Sequence, residues 1–111
     1  GPIDKPETAR FEARGTYAGQ PLTVTFDMES IPDTPPRYRF REENAFMIDI
    51  SGIQVSGIFS PHFAAGTEFR QMKVLGPKNS VVCEVAPEKM MAASVFFHSL
   101  ITNPKAVCEK Q

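Results

Sequence analysis

Two cysteines, two histidines and a formal net charge of -1 over 111 residues close off several large classes of function. Cys83 and Cys108 lie far apart, and the chain holds neither a Cys-x-x-Cys nor a His-x-x-x-His pair, so zinc-type ligand spacing is missing. A near-neutral chain has no global field to draw it onto nucleic acid or an anionic membrane, and such binding would need a local patch. No stretch approaches the roughly 18 apolar residues of a membrane-spanning helix. Gly52 and Gly57 lie around a predicted strand rather than between a strand and a helix, so they mark bends or bulges, not a phosphate cradle. No cofactor or metal is expected.

What is present reads as one globular domain. Hydrophobic residues make up 41% and charged residues 23%, enough apolar matter for a core at this length but with little to spare. Residues 1–9 are polar and punctuated by Pro2 and Pro6, and read as a flexible leader. Gly1-Pro2 resembles the scar of a removed tag, and the absence of a signal peptide behind it is uninformative. Residues 10–111 are then the domain proper.

The stretch from Cys83 to Cys108 organises the rest. Pro87 opens a predicted helix over 87–102, where its missing N–H costs nothing, and Glu88 complements the dipole. Asn103-Pro104 closes it. At about 100° per residue, Met90, Ala93, Phe97, Leu100 and Ile101 fall on one stripe with Phe96 at its border. The two cysteines bracket this helix, and a bridge between them would draw the tail Lys105-Ala106-Val107 back over the preceding strand. On a loop-closure model such a bridge stabilises by about 3–4 kcal/mol. It also implies an oxidising, periplasmic or secreted setting.

Seven alternating or apolar runs precede the helix, near residues 10–18, 22–28, 37–41, 45–50, 53–59, 69–75 and 80–85, with turn residues between them. The first two form an antiparallel hairpin. The fold class is therefore mostly β, about seven short antiparallel strands in a sandwich or small barrel with one C-terminal helix, the alternative being a meander-like α+β layout.

Catalytic constellations are weak. Ser60 beside His62 and Ser94 below His98 lack a strained nucleophile elbow, and Glu42-Glu43 sits in a turn. Two surface features remain. Arg37, Arg39 and Arg41 form a basic stripe, but Tyr38 and Phe40 fall on the opposite side of the strand, whereas base stacking needs both on one surface. Glu12, Asp27, Glu42 and Glu43 are close enough in sequence to pair with the arginines. The second feature is apolar surplus: nine Phe and five Met, with Phe59, Phe63 and Phe69 crowded together and Met91 and Val95 off the helix stripe. The tail is expected to cover Met91 and Val95, and otherwise they offer a docking patch.

The reading is a non-catalytic, extracytoplasmic module of the cell envelope that binds another protein, with Met91 and Val95 preferred over the arginines. The alternatives are a carrier of a small apolar ligand and an oligonucleotide-binding barrel, nucleic acid being the less expected partner. Mass spectrometry of the protein denatured without reductant should find Cys83 and Cys108 refractory to alkylation and the mass two hydrogens below that of the reduced chain. Two alkylated thiols would remove the case for an oxidising compartment.

Overall fold

A computed structural model describes residues 6–62, 64, 66–90 and 92–109. It is mostly antiparallel β with a single C-terminal helix, as the sequence predicts. The strands are β1 (Glu7–Tyr17), β2 (Gln20–Ile31), β3 (Arg37–Arg39), β4 (Asn44–Ile50), β5 (Ile53–His62), β6 (Gly66–Leu75) and β7 (Val81–Glu84), and α1 spans Ala93–Thr102. Where the sequence leaves open a second sheet or a closed barrel, all seven strands join one sheet in the order β1-β2-β4-β5-β6-β7, with β3 also paired to β2. The layer packed on that sheet is the helix with the C-terminal tail, which is the meander alternative.

Tight turns set this order. Ala18-Gly19 and Ser51-Gly52 both have positive φ at both positions, 49° and 79° in the first and 52° and 84° in the second. That is the two-residue hairpin turn whose twist matches the flanking strands. β1 begins at Glu7, so residues 7–9, assigned above to the leader, are strand. Thr8 and Ala9 pair with Glu29 and Met28 across the hairpin. Residues 1–5 lie outside the described residues.

Alternation then sorts the side chains onto two faces. Phe46, Ile48 and Ile50 of β4, Val55 of β5, and Met72 and Val74 of β6 point to the inner face and form the buried core with Val85, Phe96, Leu100 and Val107. Gly57 lies on that face, opposite Phe46. A Cβ there would come within 2.8 Å of Met72 Cγ and of the Phe46 ring. Beside it β6 carries a bulge, with Gln71 at φ 53°.

The helix is shorter than predicted. Pro87–Met90 forms a separate 3₁₀ turn and Ala92 is extended (φ −136°, ψ 114°), so helical backbone starts only at Ala93. The chain has to turn here from the sheet edge onto the inner face, because Ala86 is still buried and bonded to the tail. Turning that corner overrides a start signal that is sound locally. The stop falls as predicted, with the Asn103 N–H donating to the Ser99 carbonyl at 2.7 Å.

The buried face also differs in phase. Its centre is Phe96 and Leu100, 2% and 0% exposed, while Phe97 and Ile101 flank them half-buried and Ala93 is exposed. Phe97 instead packs its ring against Tyr17, 5.6 Å between centroids, and the Tyr17 hydroxyl donates to the Ser94 carbonyl at 2.8 Å. Tyr17, at the end of the first hairpin, thus rotates the helix away from the phase its own periodicity implies.

Cys83 and Cys108 are disulfide-bonded with Cα atoms 5.7 Å apart. The tail has more to hold it than the bond alone. The Ala86 N–H donates to the Val107 carbonyl at 2.9 Å, the Glu109 N–H to the Glu84 carbonyl at 2.7 Å, and Val107 is 1% exposed in the core.

Phe96→Ala should destabilise the fold by about 3–5 kcal/mol, while Val95→Ala, one residue away on the open side, should stay within about 0.5 kcal/mol in urea unfolding. Gly57→Ala should cost about 1–3 kcal/mol by forcing Met72 and Phe46 apart. Equal effects of the two helix substitutions would place α1 in the wrong phase.

Candidate functional site

The helix covers only part of the inner face. It lies over the end of the sheet that holds Ile50, Ile53 and Tyr17. Towards the other end, the same face carries a chain of touching aromatic rings. Tyr38 meets Phe11 edge-on at 5.0 Å, Phe11 stacks on Phe26 at 5.7 Å, Phe26 meets Phe40 at 6.3 Å, and Phe40 meets Phe59 at 5.4 Å. Phe46 then joins Phe59 at 6.0 Å and Phe69 at 5.7 Å. Tyr38, Phe40 and Phe69 remain 47%, 45% and 45% exposed. Edge-on and offset contacts are the favoured geometries for such rings. The lower rings are therefore fixed, and the three outer ones present a set surface.

Strand alternation accounts for the purity of this surface. Phe11, Phe26, Phe46, Phe59 and Phe69 occupy the inner positions of five strands, paired Phe11–Phe26, Phe26–Phe46 and Phe59–Phe69. The charged residues occupy the positions between them and point to the outer face. There Arg10 pairs with Asp27 at 2.8 Å, Arg14 with Glu12 at 3.0 Å and Arg70 with Glu43 at 2.8 Å. The hydrogen bonds that the Arg10 guanidinium donates to Asp27, more than the charge of Asp27, raise its pKa.

Asn44 is what aims Phe40. It is 3% exposed and is the first residue of β4, just after the irregular step from β3; the two strands run end to end along the same edge of β2. Its Oδ1 accepts from the Arg41 N–H at 2.8 Å, and its Nδ2 donates to the Arg41 carbonyl at 2.8 Å and to the Phe59 carbonyl at 3.3 Å. One side chain thus satisfies the backbone of Arg41 in the step that follows Phe40 and ties it to β5.

The arginine stripe is placed on the outer face, away from Tyr38 and Phe40, as the alternation predicts. Its partners differ from those expected. Arg37 pairs with Asp33 at 3.0 Å, Arg39 with Glu29, and Arg41 lies 3.9 Å from Glu29 while donating to Thr8 Oγ1 at 2.8 Å and to the Glu7 carbonyl at 3.4 Å. The register puts Arg39 opposite Glu29, whereas Asp27 falls opposite Arg10. Arg41 is committed to holding the start of β1.

Val95 is 63% exposed, so the tail does not bury it, although Ala106 and Val107 line one groove with it. Met91 lies outside the described residues, as does Phe63. His62 Nε2 approaches Glu68 at 3.4 Å, and Ser60 is a buried acceptor for Arg70 at 3.4 Å. No helix among the described residues is long and apolar enough to cross a membrane. An open groove of about 510 Å³ crosses the outer face between Arg10, Asp27, Ser56 and Lys73.

No protein-family model matches this chain, and no curated protein or solved structure is significantly similar to it.

The aromatic surface was visible in the sequence only as a surplus of phenylalanine. Its members come from six strands, β1 to β6, spread over Phe11 to Phe69, and only the register gathers them. Asn44→Ala should lower stability by about 1–3 kcal/mol in urea titration, since it leaves part-buried backbone groups of Arg41 without the Asn44 partner. A change below about 0.5 kcal/mol would show that the step between β3 and β4 holds itself.

Proposed function

We propose that this protein is a non-catalytic interaction module whose binding surface is the aromatic half of the inner sheet face, around Tyr38, Phe40 and Phe69. The observation that carries the reading is the contrast along one face of one sheet. Where α1 lies, an amphipathic helix covers the apolar side chains, and beyond it the rings of Tyr38, Phe40 and Phe69 stand nearly half exposed. Soluble domains rarely leave aromatic side chains contiguous and open without a use. Aromatic residues in such a setting are also the ones that dominate binding energy.

The occupant that fits is an amphipathic helix of another protein, laid on the sheet as α1 is laid beside it. The surface is apolar and nearly flat, which suits a helix stripe with anchors at i, i+3 and i+4. The disulfide supports an extracytoplasmic, periplasmic or secreted setting for this role. The earlier preference for the Met91 and Val95 side of the helix gives way, since one exposed valine is a small anchor beside three rings. Carriage of a small apolar ligand has less support because the Phe-rich region is an open face. Oligonucleotide binding has less support because the arginines face away from the rings and towards carboxylates.

The test uses the native extract of the source organism and the immobilised full chain. Phe40→Asp and Phe69→Asp should each weaken capture of a partner by roughly thirtyfold or more, for a loss of about 2 kcal/mol. Replacing Arg37, Arg39 and Arg41 with alanine should leave capture within a few-fold, and raising salt should change it little, since apolar burial carries no charge term. Capture that collapses in high salt, or that survives Phe40→Asp and fails with Val95→Asp, would overturn the reading.

A further inference from the structure

The sheet has an open edge beside the aromatic face, and its sequence is complementary to itself. β7 pairs only with Lys73, Val74 and Leu75 of β6, and the Val85 N–H reaches the Met72 carbonyl. The bulge at Gln71 ends that pairing. From Gly66 to Arg70, β6 therefore has β5 on one side and no strand on the other among the described residues.

The direction of its backbone groups follows from its neighbours. The Phe59 carbonyl accepts from Asn44 on the β4 side. In an antiparallel ladder this makes Phe59–Phe69 a non-hydrogen-bonded pair, so the Phe69 N–H and carbonyl point outward at the free edge. The Met72 carbonyl, one alternate position further on across the bulge, points the same way and is taken by Val85. Unpaired groups on a strand edge are a template for another strand.

We infer that the strand this edge takes is β6 of a second copy of the chain, antiparallel about a two-fold axis through Phe69. In that register Phe69 faces Phe69 of the second copy and exchanges both backbone hydrogen bonds with it. Glu68 of each copy then stands opposite Arg70 of the other. Both side chains point to the outer face and are exposed; in the single chain Glu68 lies 3.4 Å from His62, Arg70 2.8 Å from Glu43, and the two lie 3.8 Å from each other. Each can add a cross-strand partner without being unburied, and opposite charges facing each other across antiparallel strands are favourable. The two-fold requires a patch that complements itself, and Glu-Phe-Arg centred on its own aromatic does so. A net charge of -1 per chain adds little repulsion.

The other edge, β1, is less suited. Its Glu12 and Arg14 are bonded to each other at 3.0 Å, closer than the 3.8 Å between Glu68 and Arg70, and the inner positions of its exposed stretch hold Ala13 and Gly15, which bury little. Pairing through β6 instead runs the two sheets into one and sets the two aromatic surfaces side by side.

Sedimentation equilibrium of the full chain tests this by charge reversal. The native protein should form a dimer with concentration. Glu68→Arg and Arg70→Glu should each weaken it by about tenfold or more, since each places like charges opposite one another twice per dimer. Mixing the two single variants in equal amounts should restore the dimer, because every Glu68–Arg70 position then again faces an opposite charge. That restoration cannot come from a misfolded variant. A native chain that stays monomeric at submillimolar concentration, a dimer indifferent to either reversal, or a mixture that does not reassociate would each overturn the inference. None of these outcomes bears on whether Phe40→Asp releases a partner, so the two accounts fail separately.

Discussion

The stitch between the C-terminal tail and the last strand is the constraint on which the structure depends. The Cys83–Cys108 bond and the two backbone hydrogen bonds beside it fix the tail against Glu84 to Ala86, and Val107 drops into the core. A one-sheet domain of this size has only one apolar face to bury, and a small core leaves little margin. Both ends of the segment from Val85 to Val107 are held at the β7 edge, and the helix within it crosses the sheet to Tyr17 of β1, so it covers the end of the strands that holds Tyr17 and Ile50 and leaves the other end open. Ile50, Val55 and Leu100 are consequently sealed, and the rings beyond them are not.

The two faces of the sheet solve different problems. On the outer face, six arginines meet carboxylates at the surface. Exposed pairs of this kind contribute little stability each, about 0–1 kcal/mol, and their effect is rather to keep that face hydrated and ordered. On the inner face the aromatic rings pack on one another in edge-on contacts that hold the outermost ones in place. A preformed surface loses less side-chain entropy on binding than a flexible one, which is why rigid aromatic anchors favour recognition. Asn44 links the two, since it holds the backbone of Arg41, where alternation places Phe40 inward and Arg41 outward towards Thr8 and Glu7.

Much of this was legible in the sequence because it rests on local chemistry. Strand alternation located all seven strands and put the arginines and the aromatics of residues 37–41 on opposite faces. The turns at Ser51-Gly52 and Pro77–Asn79 announced themselves through residues that suit them, and Asn103-Pro104 stopped the helix where expected. What was not legible depends on distant partners. The start of α1 moved to Ala93 because Ala86 stays bonded to Val107, a contact between residues 21 apart in sequence. The helix phase turned towards Phe96 because Tyr17 claims Phe97. The aromatic surface could not be drawn from periodicity, since each strand supplies one or two rings and only the register assembles them.

One apolar face of the sheet is covered at one end and open at the other. Hydroxyl-radical labelling of the oxidised protein, read residue by residue by mass spectrometry, measures that directly. Tyr38, Phe40 and Phe69 should label readily, and Phe96 and Leu100 should be protected until Cys83–Cys108 is reduced and the chain is unfolded. Protection of Tyr38 and Phe40 equal to that of Phe96 in the monomeric protein would contradict it, because it would mean that the helix and tail cover the whole face.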